Sequence, residues 1–259
     1  MAHQEMHHHH LGHHETSFWP FPVGMGILLV PIGVVSYFAW HKEMLGLVLG
    51  GVAFLLIIFG LIGWANEFFS KGHEEGFGGL AISLFIATEV IIFGTLFAAF
   101  WTARVTHADV WPQWVPHMNL VIPAILTLIL WSSSISILFS EKALEAGNRG
   151  MSIILLLLTI ALGTAFVIIH FQEWAHLWHS GFTLSSNMYG TGFYSLTGVH
   201  TSHVIVGLIS QLYVLYLVAT GKMSSHRTTL FKAVSLYWHF VDLMWLLVAG
   251  SVYLIGSLV

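Results

Sequence analysis

The chain has 259 residues, of which 56% are hydrophobic and only 8% are charged, and its mean hydropathy is +0.81. A soluble domain carries about 25% charged residues, so this composition indicates a membrane protein. The absence of cysteine excludes disulfides, thiolate metal sites and thiol catalysis. The sequence contains neither a basic domain nor an RNA- or DNA-binding signature, so we expect no nucleic-acid partner.

The first 18 residues form a His-rich tail, which we separate from a membrane domain of residues 19–259. The tail lacks the basic start of a cleaved signal peptide. Its clustered histidines could bind a metal ion or respond to pH. We prefer the simpler interpretation, a disordered tail. The cluster consists of His7, His8, His9, His10, His13 and His14.

Seven apolar segments are each long enough to cross a bilayer as a helix, which takes about 20 residues. The link between the first two, around residues 41–43, is very short, so these two should form an antiparallel hairpin. The sequence therefore predicts an all-α protein with many membrane spans. The spans are expected near residues 21–40, 45–66, 79–102, 119–139, 151–172, 191–220 and 231–257.

Basic residues predict the orientation, because cytoplasmic loops are enriched in Lys and Arg. A cytoplasmic N-terminus places six basic residues inside and two outside, so we expect the N-terminus to be cytoplasmic and the C-terminus to be outside. The inner set is Lys71, Lys142, Arg149, Lys222, Arg227 and Lys232, and the outer set is Lys42 and Arg104.

Glu89 lies about ten residues into the third predicted span, which is near the middle of the bilayer at roughly 1.5 Å per residue. Ionisable groups at that depth are costly, so they are usually paired or functional. Two interpretations stay open here. Glu89 could handle protons or line a substrate pathway, or it could be a neutral acid that hydrogen-bonds a neighbouring helix.

Two pairs with a spacing of three residues occupy the fifth and sixth segments. His170 and Glu173 share one helical face, as do His200 and His203. Antiparallel neighbouring helices could bring all four together. A metal site or a haem is conceivable with such ligands, but hydrogen bonds between helices are the interpretation that we prefer.

His239 and Asp242, again three apart, lie in the seventh segment. The pair could relay protons, or it could fix one helix against another, which we prefer. A further cluster lies at the cytoplasmic end of the second segment, where Trp64 is at headgroup depth and Glu67 and His73 could contact a lipid. Arg227, on the same side, offers a forked donor that suits phosphate.

Several motifs occur in a fixed order from about Trp64 to the C-terminus, and with them the chain resembles subunit III of the haem–copper cytochrome oxidases. The motifs are Thr88–Gly94; Pro123 with Leu126, Thr127, Ser132 and Ser133; Gln172, Glu173 and Trp174; Phe182 and Thr183; Tyr189 and Gly190; Gly198, Val199 and His200 with His203 and Val204; and Tyr237–Asp242 with Trp245.

The resemblance implies seven helices in which the first two (about 21–66) form one arm of a V against a bundle of the other five (about 79–257). It implies phospholipids in the cleft of the V, with Trp64, Glu67, His73 and Arg227 at the positions of lipid contacts. It also implies that Glu89 is the membrane carboxylate that reacts with carbodiimide.

The resemblance further implies an accessory subunit that has no catalytic residue, haem, copper or other metal of its own. Haem and copper then belong to subunits I and II of a proton-pumping oxidase that reduces dioxygen to water. Subunit III would stabilise subunit I, support proton uptake and hold lipids. We expect an aa3-type cytochrome c oxidase in the plasma (inner) membrane of a prokaryote. A quinol oxidase is the alternative, and a proton-coupled transporter or a self-sufficient haem protein would be a rival of another class.

Overall fold

The computed structural model describes residues 18–38, 40–70, 78–116, 118–226 and 228–257. In these ranges the regular structure is entirely helical. Seven of the helices are long and apolar enough to cross a membrane, which confirms the predicted all-α fold. The helices are α1 (Pro20–Phe38), α2 (Glu43–Ser70), α3 (Gly78–Thr106), α4 (Trp111–Trp114), α5 (Val121–Glu145), α6 (Arg149–His179), α7 (Met188–Ala219) and α8 (Thr229–Ala249), the last continued by a π-helical segment (Gly250–Ile255).

The helix ends differ from the sequence prediction most at α5 and α6, which end at Glu145 and His179 rather than near 139 and 172. The apolar pattern marks the hydrocarbon core, whereas the helices continue beyond it with polar residues. At 31 residues, α6 is about 46 Å long. The connection between the fifth and sixth predicted spans, expected at residues 173–190, is therefore reduced to residues 180–187.

The first compact unit, residues 1–73, contains the predicted hairpin of α1 and α2. Small residues let these two helices approach closely. A Cβ atom on Gly33 would lie 3.3 Å from the backbone oxygen of Gly46, and one on Gly63 would overlap the ring of Trp19. The antiparallel hairpin is confirmed.

The second unit, residues 74–259, contains α3 to α8. Its core is rich in aromatic residues, with Trp238 of α8 wholly buried at the centre. A Cβ atom on Gly207 of α7 would lie 2.7 Å from the Trp238 ring, and one on Gly163 of α6 would lie 2.9 Å from it. The indole of Trp238 also donates to the Ser133 hydroxyl of α5 over 2.9 Å. One tryptophan therefore joins four helices. The V-shaped arrangement and the orientation of the termini stay predictions.

Candidate functional site: polar groups within the membrane helices

Glu89 of α3 and His203 of α7 form a direct pair between two membrane helices. The distance between Glu89 Oε2 and His203 Nε2 is 2.7 Å, and the two side chains are 12% and 15% exposed. A polar group in hydrocarbon needs such a partner. The hydrogen bond to a neighbouring helix that the sequence left open for Glu89 is therefore present.

The other nitrogen of His203 determines how protons are distributed in this pair. His203 Nδ1 lies 2.7 Å from the backbone oxygen of Val199, which can only accept, so Nδ1 carries a hydrogen. If the ring is neutral, Nε2 must then accept a proton donated by a protonated Glu89. If the ring is protonated, Glu89 is a carboxylate. In both states one proton lies between the two residues and the pair is neutral overall.

Aromatic rings enclose the pair. The ring of Phe93, one helical turn from Glu89, lies 5.1 Å from the His203 ring between centroids. The ring of Tyr237 of α8 stacks on His203 at 6.5 Å, and its hydroxyl donates to the His203 backbone oxygen over 3.2 Å. The surroundings are thus apolar and fixed. A proton can move between Oε2 and Nε2 over 2.7 Å without any side-chain rotation.

A second polar group lies near the C-terminal end of α6. The hydroxyl of Tyr253 donates to Glu173 Oε2 over 2.7 Å, while His170 Nδ1 lies 3.6 Å from the same oxygen, beyond hydrogen-bonding distance. His170 and His200 are wholly buried, and within the described ranges neither ring nitrogen of either residue has a hydrogen-bond partner. Both rings pack against Trp245, at 5.5 and 5.1 Å.

The four residues of the two predicted pairs therefore divide into two environments. His203 points to Glu89, whereas His170, Glu173 and His200 lie among the aromatic residues around Trp245 and Tyr253. Among the described residues no group of three or more His, Cys, Asp or Glu is placed to hold a metal ion.

His239 and Asp242 are not joined by a hydrogen bond or an ion pair in the part of the chain that the structure describes. Asp242 lies beside Ser134 of α5, and its buried Oδ1 has no hydrogen-bond partner among the described residues. His239 lies within electrostatic range of Glu141. A spacing of three residues places both side chains on the same side of α8, but that does not bring their polar atoms into contact.

Of the four residues proposed for lipid contact, the structure describes two. Trp64 is 45% exposed near the end of α2, and Glu67 is partly buried one turn later. His73 and Arg227 lie outside the described residues. Their part in lipid binding stays a prediction.

Sequence reasoning missed the partners that surround the charged groups. Tyr237 falls inside a motif that the sequence singled out, yet nothing in the motif shows that it packs on His203. Tyr253 lies near the end of the last membrane helix, a place where tyrosine is common for other reasons. Its bond to Glu173 spans 80 residues, so no local pattern could predict it.

The fold and these pairs define a polytopic membrane protein whose ionisable groups are held between helices. The family model described as cytochrome c oxidase subunit III matches residues 7–257. Similar proteins are the cytochrome c oxidase subunit 3 of Paracentrotus lividus, 32% identical over 94% of this chain and 96% of the relative, and that of Pisaster ochraceus, 30% identical over 99% and 100%. That of Tachyglossus aculeatus aculeatus is 31% identical over 92% and 94%. The chain belongs to the cytochrome c oxidase subunit III family, and thus to an oxidoreductase complex with other oxidase subunits.

Proposed function

We propose that this chain is an accessory subunit of a cytochrome c oxidase, that it binds no redox centre itself, and that its Glu89–His203 pair supports proton uptake by the complex. The observation that carries the proposal is the 2.7 Å contact between the two side chains inside the membrane. The names of the similar proteins support cytochrome c as the electron donor. The partners are then subunit I, with haem and copper, and subunit II.

The pair suits proton handling for a chemical reason. Carboxyl and imidazole groups are the usual side chains for proton transfer near neutral pH. Here they share one proton in an apolar enclosure, so accepting a second proton or releasing the first changes the charge of the site. A purely structural hydrogen bond would need no group that can ionise. This difference makes the proposal testable.

The substitution Glu89→Gln separates the two roles. The glutamine amide can donate to His203 Nε2 and keep the hydrogen bond, but it cannot release a proton. We expect the variant chain to stay in the purified complex, with a lower rate of dioxygen reduction and slower proton uptake. The matched control is Thr95→Val on the same helix, because among the described residues the exposed Thr95 hydroxyl bonds to the backbone oxygen of Ile92 on its own helix. An intact variant complex with the wild-type rate of proton uptake would contradict the proton role.

A second experiment tests the accessory role, the partners and the donor. The chain is purified from its native membranes in mild detergent, and the accompanying proteins are identified by mass spectrometry. We expect a haem-bearing subunit and a subunit with a copper domain, and oxidation of reduced cytochrome c rather than quinol by the complex. A haem absorption band in the separated chain would overturn the accessory role. Recovery of the complex from a prokaryotic plasma membrane would support the proposed location.

Lipid binding in the proposed role rests on Trp64, Glu67, His73 and Arg227. Trp64 presents an exposed indole at one end of a membrane helix, which is a usual depth for contact with headgroups. Replacing Trp64 by alanine should lower the amount of phospholipid that purifies with the complex. The same replacement at Trp131, which is also 45% exposed, is the control.

A further inference from the structure

The interface between α5 and α8 has a register that two tryptophans establish. The indole of Trp238 donates to the Ser133 hydroxyl over 2.9 Å, and the indole of Trp245 donates to the Thr127 hydroxyl over 3.0 Å. Seven residues forward on α8 thus correspond to six residues backward on α5, so the two helices are antiparallel. The last turns of α5 therefore lie beside the first turns of α8.

Ionisable side chains continue this register at that end of the bundle. Lys232 Nζ of α8 lies 2.7 Å from Glu145 Oε1 of α5, and the two side chains are 54% and 39% exposed. Two helical turns further along α8, the partly buried His239 lies within electrostatic range of the partly buried Glu141. The contacts therefore lead from an exposed ion pair towards the interior of the bundle.

Asp242 is the deepest ionisable group in this series, about 15 Å along α8 from Lys232. It lies beside Ser134 of α5, and the two residues are 9% and 6% exposed. Asp242 Oδ1 and Ser134 Oγ have no hydrogen-bond partner in the described ranges. We call the whole series the polar track; its members are Ser134, Glu141, Glu145, Lys232, His239 and Asp242.

The members of the polar track share one face of each helix. At 100° per residue, the three members on α8 fall within an arc of about 80°, and the three on α5 within about 40°. Neutral groups on the same two helices already serve packing, as the bond between Trp238 and Ser133 shows. Ionisable groups inside a membrane are costly and usually functional. Two acids and an imidazole on this face therefore need an explanation beyond packing.

An imidazole between two carboxyl groups can pass a proton from one to the other, because it has two nitrogens. Glu141 takes up a proton from water and gives it to one nitrogen of a neutral His239. The other nitrogen releases its own hydrogen to the Asp242 carboxylate, so the ring ends neutral in its other tautomer. Residues three apart on a helix have Cβ atoms about 5–6 Å apart, so one water molecule or a rotation of the ring closes the gap between His239 and Asp242.

We infer that Asp242 is a proton-binding carboxyl group inside the membrane and that Glu141 and His239 connect it to water at the start of α8. The observation that carries the inference is a buried carboxyl oxygen without a partner among the described residues, at the inner end of a series of ionisable groups. The proton enters where the Lys232–Glu145 pair is exposed, and the reverse steps return it to water.

This site is separate from the pair described above. Glu89 of α3 and His203 of α7 bond to each other beside Tyr237, which lies about 140° around α8 from the carboxyl of the polar track. His200 of α7 packs on Trp245, one turn further along α8. The inference therefore does not depend on the proton role proposed for Glu89.

The test follows deuterium exchange at the Asp242 carboxyl in the purified complex by infrared spectroscopy. A protonated carboxyl has its own C=O band, which shifts when deuterium replaces the proton, and Asp242→Asn identifies this band by removing it. After transfer to D₂O buffer, the band should shift in the wild type. We expect His239→Phe to slow the shift about 100-fold, the lower end of what a positioned proton-transfer group contributes.

Two further variants make the test specific. Glu141→Gln keeps the shape of the side chain but cannot carry the proton, so it should also slow the shift; it covers the case in which His239→Phe fails to fold. The matched control is His179→Phe, at an exposed histidine that ends α6, and its exchange should match that of the wild type.

The direction of the change separates a proton path from a packing role. Loosened packing between α5 and α8 would admit water and speed the exchange, whereas loss of a proton-transfer group slows it. Faster or unchanged exchange in both His239→Phe and Glu141→Gln would overturn the inference. So would the absence of any band that Asp242→Asn removes, because the carboxyl would then be ionised.

Glu89→Gln distinguishes this site from the proposed function. We expect the Asp242 band and its exchange rate to be unchanged in that variant, even if Glu89 proves to have no part in proton uptake. Slower exchange of the Asp242 band in Glu89→Gln would show that protons reach Asp242 from the other pair, and the path through Glu141 and His239 would be wrong.

Discussion

Replacing Glu89 by leucine removes one member of the pair between α3 and α7 and leaves His203 Nε2 buried without a partner. An unsatisfied buried polar group costs about 1–3 kcal/mol. Hydrogen bonds between membrane helices average about 0.6 kcal/mol and reach about 1.7 kcal/mol. The contact is short, at 2.7 Å, and largely buried. We therefore expect a loss in the free energy of unfolding of about 1–2 kcal/mol, close to the largest values for hydrogen bonds between membrane helices.

The measurement is the thermal unfolding midpoint of the purified chain in mild detergent. For a protein of this size, 1 kcal/mol shifts the midpoint by about 2–4 °C, so Glu89→Leu should lower it by about 2–8 °C. Glu89→Gln, which keeps a donor for Nε2, should stay within about 2 °C of the wild type. Thr95→Val serves again as the control on α3.

A double-mutant cycle with His203→Leu tests whether the two residues act through each other. If the 2.7 Å contact is responsible, the double variant loses less stability than the sum of the single variants, by about 1 kcal/mol or more. Strictly additive losses would refute the reasoning. So would a Glu89→Gln variant as unstable as Glu89→Leu, because the stabilising feature would then be the charge rather than the hydrogen bond.

Two more predictions concern the packing around Trp238 and the carboxyl group of Asp242. Gly207→Ala should lower the unfolding midpoint by an amount equivalent to about 1–3 kcal/mol, because its Cβ atom would lie 2.7 Å from Trp238. The control Gly94→Ala should be neutral or stabilising, because no atom lies within 4 Å of the new Cβ atom. Equal losses in the two variants would show that packing against Trp238 is not the cause. Asp242→Leu should change the free energy of unfolding by less than about 1 kcal/mol, because the Oδ1 atom of Asp242 has no hydrogen-bond partner among the described residues. A loss above about 3 kcal/mol in thermal unfolding would show that Asp242 is paired.

The sequence predicts the number of membrane helices well because lipid leaves few choices for the backbone. Every peptide group in hydrocarbon must be bonded internally, so a long apolar segment has to be a helix. The ends of the helices lack this constraint. Glu141, Lys142 and Glu145 interrupt the apolar pattern of α5, yet the helix continues through them because water satisfies polar side chains at the membrane surface.

The site was harder to predict because residue spacing relates only neighbours on one helix. His200 and His203 are three residues apart and so differ by about 60° around α7. That angle is enough to direct His200 towards Trp245 and His203 towards Glu89, which lies 114 residues away in the sequence. The packing of α3 against α7 therefore determines which polar groups meet, and the sequence of a single chain contains little information about that packing.

Glu89 and Glu173, which the structure pairs with His203 and Tyr253, differ in what they can do. Glu173 accepts the hydroxyl of Tyr253, which lies in the π-helical segment at the end of α8. The hydroxyl of Tyr189 and the indole of Trp111 bond to backbone oxygens of Val252 and Gly256 in and just after this segment. Irregular backbone within a membrane protein is tolerated where protein groups satisfy it. Glu173 therefore belongs to the contacts that fix the end of α8.

The substitution Glu173→Gln should consequently leave both stability and dioxygen reduction unchanged, because the amide oxygen can accept from Tyr253 as the carboxyl does. Glu89→Gln should also keep the chain in the complex but slow proton uptake. The same chemical change at two buried glutamates thus distinguishes a structural acceptor from a group that must exchange a proton. If oxidase assays on the two variants show equal losses, the pairing of Glu89 with His203 gives it no special role in proton uptake.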